Sequence, residues 1–187
     1  MIRVEKEEAY RIRQGDIYRD IGFTEYALEN DGVIEISNII FPLIIILTQD
    51  CDLQQDYDFR YSEPIKDTQD KYLLSLLVAP LYNVEHFYNG EHLSTLDLTM
   101  VKFERRKDKT ANKNLKDNLI PRYHYLEFPS DIPIVPSIID FKHYFSVNLR
   151  YLMGIKNEKF ACKISELYRE DISHRFASFL SRIGLPD

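Results

Sequence analysis

The sequence predicts a mainly β fold with helical additions: a small, mostly antiparallel barrel over residues 13–155, closed by a carboxy-terminal amphipathic helix over residues 164–184. Three observations carry that expectation. Short apolar runs recur between Gly, Pro and Asp-Gly turns, at the spacing of strands rather than helices. One run, Leu43–Leu47, is continuously aliphatic and too short for a buried helix, which makes it a central strand. After Ser165 the apolar period changes: Leu167, Tyr168, Ile172, Phe176, Phe179, Leu180 and Ile183 recur at three and four residues, one stripe along a helix.

In chain order, Arg13-Gln14-Gly15 turns into a first strand at Asp16-Ile17-Tyr18. Ile21–Leu28 and Val33–Ile40 flank Asn30-Asp31-Gly32, where Asp-Gly is a two-residue hairpin signal. Pro42 cannot donate to a ladder and is expected to start the central strand, whose carboxyl end delivers Thr48, Gln49, Asp50, Cys51 and Asp52. Asp52–Lys71 is polar and aperiodic, the pattern of a long surface loop. Tyr72–Leu81 reads as a second buried strand stopped by Pro80 and paired with Leu43–Leu47. Asn83 is positioned to cap a short helix through His86 and Phe87, ended by Asn89-Gly90. Residues 93–119 mix helical spacing with dense basic charge, an inserted basic helical segment. Arg122–Phe128 alternates as a strand with one exposed face, and prolines 129, 133 and 136 break the chain before Ser137–Phe141. Tyr144–Tyr151 is a further strand candidate; Ser165 caps the last helix, and Gly184 and Pro186 stop it.

A chain of 187 residues with 44% hydrophobic content suits a single domain with its own core. No stretch approaches the roughly 20 apolar residues of a membrane helix, and the charged start MIRVEKEEAYRIR is unlike a secretion signal, so no membrane association and a cytoplasmic location are expected. Cys51 and Cys162 are too few for a disulfide framework and are expected as thiols. The net charge of −6 disfavours a general nucleic-acid coat, but it is unevenly spread: residues 49–70 carry seven acidic side chains against two basic, and residues 102–122 eight basic against three acidic.

Two groups of residues are candidates for function. Gln49, Asp50, Cys51 and Asp52 set a thiol among carboxylates at a strand end, where ligands gather. Neighbouring carboxylates oppose thiolate formation, so the preferred reading is a buried Cys51 with Gln49 and the aspartates holding loop amides. Arg105, Arg106, Lys107, Lys109 and Lys113, edged by Phe103 and Tyr123, combine phosphate contacts with stacking, weighed evenly against a solvated charged helix. His86 and His92 flank a glycine turn and read as surface histidines; with no Cys-x-x-Cys or His-x-x-x-His spacing, no metal and no cofactor are expected. Arg169, Arg175 and Arg182 read as a solvated edge of the last helix.

Gly15-Asp16-Ile17 opening a strand, Pro42 ahead of an aliphatic strand, and Val78-Ala79-Pro80 ending a third together resemble the skeleton of the PemK/MazF-like toxins. Ser137–Phe141 and Phe145–Leu149 are similar to that family's final strands. The resemblance spans residues 13–155 and implies an SH3-like barrel and, in active toxins, RNA cleavage. This chain has Phe41 where the toxins carry a catalytic Arg before the proline, and Leu81 and Tyr82 where they carry a Ser or Thr. Neither replacement supplies charge or a positioned hydroxyl at a phosphate. The expected function is therefore a non-catalytic SH3-like module that binds a protein partner or nucleic acid, RNA or DNA, including as a subunit of a multicomponent system. The alternative is a toxin-like endoribonuclease or other phosphate-ester hydrolase with a site rebuilt at Gln49–Asp52.

Overall fold

The computed structural model describes residues 1–7, 9–65, 67–103 and 109–182. In chain order its elements are β1 (Val4–Glu5), β2 (Asp16–Asn30), β3 (Val33–Ile46), α1 (Asp50–Arg60), β4 (Ser75–Asn83), α2 (Val84–Asn89), α3 (Lys109–Lys116), β5 (Tyr123–Leu126), β6 (Ser137–Asp140), β7 (Phe145–Asn148), α4 (Leu149–Lys159), β8 (Phe160–Ile164) and α5 (Glu166–Leu180). The strands form one antiparallel sheet in the order β1-β8-β2-β3-β4-β6-β5, with β7 also on β4, curled into a half-barrel. The fold is mainly β with helices, as expected. No described helix is long and apolar enough to cross a membrane.

The β2–β3 hairpin is the spine. Asp31 and Gly32 both take positive φ, 50° and 80°, the left-handed pair that lets a two-residue turn follow the strands' twist. The strands it joins are far longer than their apolar runs suggest, 15 and 14 residues. Pro42 lies inside β3 rather than at its start: the register pairs Arg19 with Leu43 and Ile21 with Phe41, which puts Pro42 opposite Asp20. Asp20 has φ 50°, so the ladder is irregular where the proline cannot donate.

Ile44, Ile45 and Ile46 pair with Pro80, Ala79 and Val78, so the expected partnership of the two apolar strands holds. Their aliphatic runs are continuous because both faces are covered. On one face Ile45 and Leu47 pack with Ile17, Ala79, Ile139, Phe141 and Ile172, Phe176 and Phe179 of α5. On the other, Ile44 and Ile46 pack with Tyr18, Leu76 and Val78, with Leu53 of α1 and with Leu152 of α4. A third cluster joins Phe87 and Tyr88 of α2 to Leu115 of α3 and Ile138.

Four expectations need correction. Pro80 does not stop its strand: β4 runs on to Asn83, and Pro80 falls where β4 passes from β7, paired through Val78, to β6, paired from Leu81. The long loop from Asp52 begins instead as α1, a helix that buries only Leu53 and Asp56. Buried Asp56 replaces an apolar stripe: its carboxylate accepts from the Leu73 N–H at 2.6 Å and from Arg60 Nε at 2.7 Å. Tyr144–Tyr151 is a strand only to Asn148, whose side chain accepts from the Tyr151 N–H at 3.1 Å and so caps α4. Leu167 and Leu180 are exposed, so the stripe of α5 is narrower than the sequence suggests. The short helix after Asn83 is as expected, with its cap on the Glu85 N–H and Gly90 left-handed at its end. Gly184 and Pro186 lie outside the described residues.

Candidate functional site

Gln49–Asp52 is not a strand-end loop but the start of α1. Gln49 is the cap residue without a side-chain capping bond, and Asp50 and Asp52 occupy the first turn, where the helix dipole favours carboxylates. Asp50 is the anchored member. Its two oxygens take both terminal nitrogens of Arg11, at 3.1 and 2.9 Å, and Oδ1 also accepts from the Gln14 N–H. Arg169 of α5 approaches it at 3.3 Å. Burial opposes ionisation of Asp50, but these partners outweigh it and hold the carboxyl below its usual range. Cys51 is exposed, contrary to the preferred reading of a buried thiol, and its sulfur lies 3.6 Å from Gln49 Oε1 and 3.8 Å from Asp52 Oδ1.

The basic segment is only partly within view. Arg105, Arg106 and Lys107 lie outside the described residues; Lys109 begins α3 and Lys113 is exposed in its last turn. Arg122, at the end of this segment, is not free for phosphate: it donates to both oxygens of the buried Asp140. Of the three arginines read as a solvated edge, Arg182 is exposed just past the end of α5, but the other two are not. Arg169 joins Asp50, and Arg175 donates to the Ile120 and Tyr123 carbonyls at 3.0 and 2.9 Å.

Two features went unseen in the sequence. The first is the distal half of the β2–β3 hairpin. β8 pairs β2 only from Asp16 to Tyr18, and β4 pairs β3 only from Ile44 to Ile46. Beyond the Phe23–Phe41–Phe145 cluster at its base, the two-stranded ribbon has both outer edges unpaired among the described residues. From Thr24 to Asn30 it extends roughly 20 Å at strand rise. Tyr26, Leu28, Val33, Ile34, Ile36 and Ile40 stand exposed on it. Residues 20–40 carry Asp20, Glu25, Glu29, Asp31 and Glu35 and no lysine or arginine. Cross-strand bonds from Thr24 Oγ1 to Asn38 and from Ser37 Oγ to Glu25, each 2.8 Å, stiffen it.

The second is a pocket of about 370 Å³ at the ribbon's base, lined in part by Phe41, Pro42, Tyr82, His86, Glu91 and His92. His92 of this lining belongs to a cluster in which ligand-capable atoms of His92, Asp140 and His143 lie within 4.8 Å of one another. The turn after β6 places His143 beside Asp140, with Nδ1 3.6 Å from Oδ2, and Tyr82 of β4 shares that nitrogen at 3.2 Å. His92 packs edge-on against Tyr82, and neither of its buried ring nitrogens has a hydrogen-bond partner among the described residues. Burial pushes His92 down to about 4, aided by neighbouring His143, while His143 is lowered by burial against the pull of Asp140. The reading of His92 as a surface histidine fails, since the ring is half-buried in an aromatic setting. Sequence spacing could not register the cluster, because its members come from segments nearly fifty residues apart. No family model, curated protein or solved structure matches the chain.

Proposed function

We propose that the protein is a non-catalytic β module that docks a basic protein partner on the projecting β2–β3 ribbon. The observation that carries this reading is the ribbon itself: a two-stranded arm with open edges, exposed aliphatics and carboxylates as its only charges. Open strand edges are templates for strand addition, in which backbone hydrogen bonds give affinity and alternate side chains give specificity. Exposed Ile34, Ile36 and Ile40 supply apolar contact area, and the carboxylates of the ribbon select a cationic partner and repel nucleic acid. The same carboxylates disfavour ribbon-to-ribbon pairing of two copies, since an isologous contact would set like charges together. The finer reading of the fold, an SH3-like barrel of the PemK/MazF type without the toxin's active residues, is supported by the adjacency of the strands that carry Gly15-Asp16-Ile17, Pro42 and Val78-Ala79-Pro80.

A photoreactive residue in place of Ile34 tests the docking surface in cells, with the same residue in place of exposed Leu74 as control. The expected result is an adduct to one basic protein from position 34 alone. Replacing Glu25, Glu29 and Glu35 by Lys should abolish that adduct while leaving the thermal unfolding midpoint unchanged. An adduct to a second copy, to nucleic acid, or equally from both positions would overturn the proposal.

A further inference from the structure

We infer that His92, His143 and Asp140 form a binding site for a divalent first-row transition ion of the zinc class. Two imidazoles and one carboxylate are a ligand set that such ions take, and three protein ligands leave a tetrahedral position open. His92 also lines the neighbouring pocket, together with Tyr82. The ligand-capable atoms already stand within 4.8 Å of one another.

Two further observations favour an ion over a purely structural network. A neutral imidazole has one N–H to donate and one lone pair to share, and leaving both buried without partners is costly. His92 does so at both nitrogens, and an ion on either one would remove half of that cost. Asp140, for its part, is held as ligating carboxylates are held by their supporting residues. Arg122 donates to both oxygens, with Nη2 on Oδ2 at 2.5 Å, the Lys142 N–H donates to Oδ1 at 3.0 Å, and Oδ2 stands 3.6 Å from His143 Nδ1. Arg122 also withdraws charge from Asp140, so affinity should be moderate and sensitive to both histidines. The site is independent of ribbon docking, and neither proposal stands or falls with the other.

The test uses the full chain in a Cys51→Ser background, which removes the exposed thiol as a competing ligand. After chelator treatment, Co²⁺ is titrated by visible absorption and Zn²⁺ by calorimetry. The expected result is a single ion per chain with the absorption of a low-coordinate cobalt site. His92→Ala and His143→Ala should each weaken binding by about a hundredfold or more, while His174→Ala, at an exposed position on α5, should not. Zn²⁺ should also raise the urea midpoint of the parent and leave that of His92→Ala unmoved, which separates lost binding from lost fold. Absence of binding by the parent protein, or equal binding by all three histidine variants, would overturn the inference.

Discussion

Asp16 shows how one buried carboxyl sets a pH dependence opposite to that of most acidic residues. It is 1% exposed at the start of β2, where Oδ2 accepts from the Arg13 N–H at 2.7 Å and the Tyr18 hydroxyl at 3.2 Å, while Oδ1 has no partner among the described residues. Burial pushes it up to about 7, against the smaller opposing pull of those bonds and of Lys163. An unfolded Asp releases its proton near 4, so between roughly pH 4 and 7 the folded chain keeps a proton that the unfolded chain has lost. The stability linked to this group is therefore fully present below about pH 4 and is lost as pH rises through about 7, to an extent of roughly 4 kcal/mol at most. His124 works in the opposite sense. Burial pushes it down to about 3, so the unfolded ring takes a proton below about pH 6.5 that the folded ring refuses, and stability falls with falling pH. The two windows overlap, and the wild-type profile alone does not separate them. Asp16→Asn keeps the accepting oxygen and removes the titration. Measured by urea unfolding, this variant should gain stability relative to wild type as pH rises from 4 to 7, and parallel profiles for the two proteins would show that Asp16 does not titrate in that range.

At the scale of elements, α5 covers one face of the core through a few buried side chains, Ile172, Phe176 and Phe179. Phe176 packs against Phe141 at 5.5 Å and Tyr144 at 5.3 Å, and Phe179 against Phe141 at 5.9 Å. Truncating a buried phenylalanine costs about 3 to 5 kcal/mol through lost transfer energy and the cavity left behind. Phe176→Ala should lower the free energy of unfolding by that amount, whereas Leu167→Ala, at the second residue of the helix and exposed, should change it by less than about 0.5 kcal/mol. Equal effects at the two positions would mean that α5 does not pack as described. The helix was legible because burial wrote a period of three to four into its sequence, and the hairpin because Asp31-Gly32 is a turn that few other residues can make. α1 was not legible, since Asp56 and Arg60 hold it where apolar residues would otherwise repeat. The ribbon's reach was hidden for a related reason: apolar residues such as Val33, Ile34 and Ile36 look like core when their exposure is unknown. The His92–Asp140–His143 cluster left no local signal, because its geometry is made by strand pairing and not by spacing.

Over the whole molecule, the helices on the two faces of the sheet are joined at one end by a charged clasp. Leu53 places α1 on one core and Ile172 places α5 on the other, so only the rim of the sheet lets them meet. They meet at Asp50, which receives Arg11 from the amino-terminal segment and Arg169 from α5. Gly15 makes the approach possible: its backbone donates to Ile46 and accepts from Ile164, and a Cβ there would come within 3.0 Å of the Arg169 side chain. Gly15 also has φ +82°, a conformation that other residues adopt at a cost. The side chains of Arg11 and Arg169 are 6% and 12% exposed and that of Asp50 is 23%, so the clasp sits between a surface pair and a fully buried one. Removing the shared carboxylate takes from Arg11 its ion-pair partner and leaves Arg169 only the exposed Glu166 at 3.0 Å among the described residues, which should cost about 2 to 4 kcal/mol. Asp50→Ala should therefore destabilise the protein by that amount in urea. Cys51→Ser, at the adjacent but exposed position, should stay within about 0.5 kcal/mol of wild type. Replacing Arg169 by Met in the Asp50→Ala protein should recover part of the loss, because a nearly buried guanidinium held only by the exposed Glu166 is then replaced by an apolar chain of similar length. A fully stable Asp50→Ala, or an equal loss at Cys51, would mean that the conspicuous Gln49–Asp52 cluster is not the clasp that ties the two faces of the fold together.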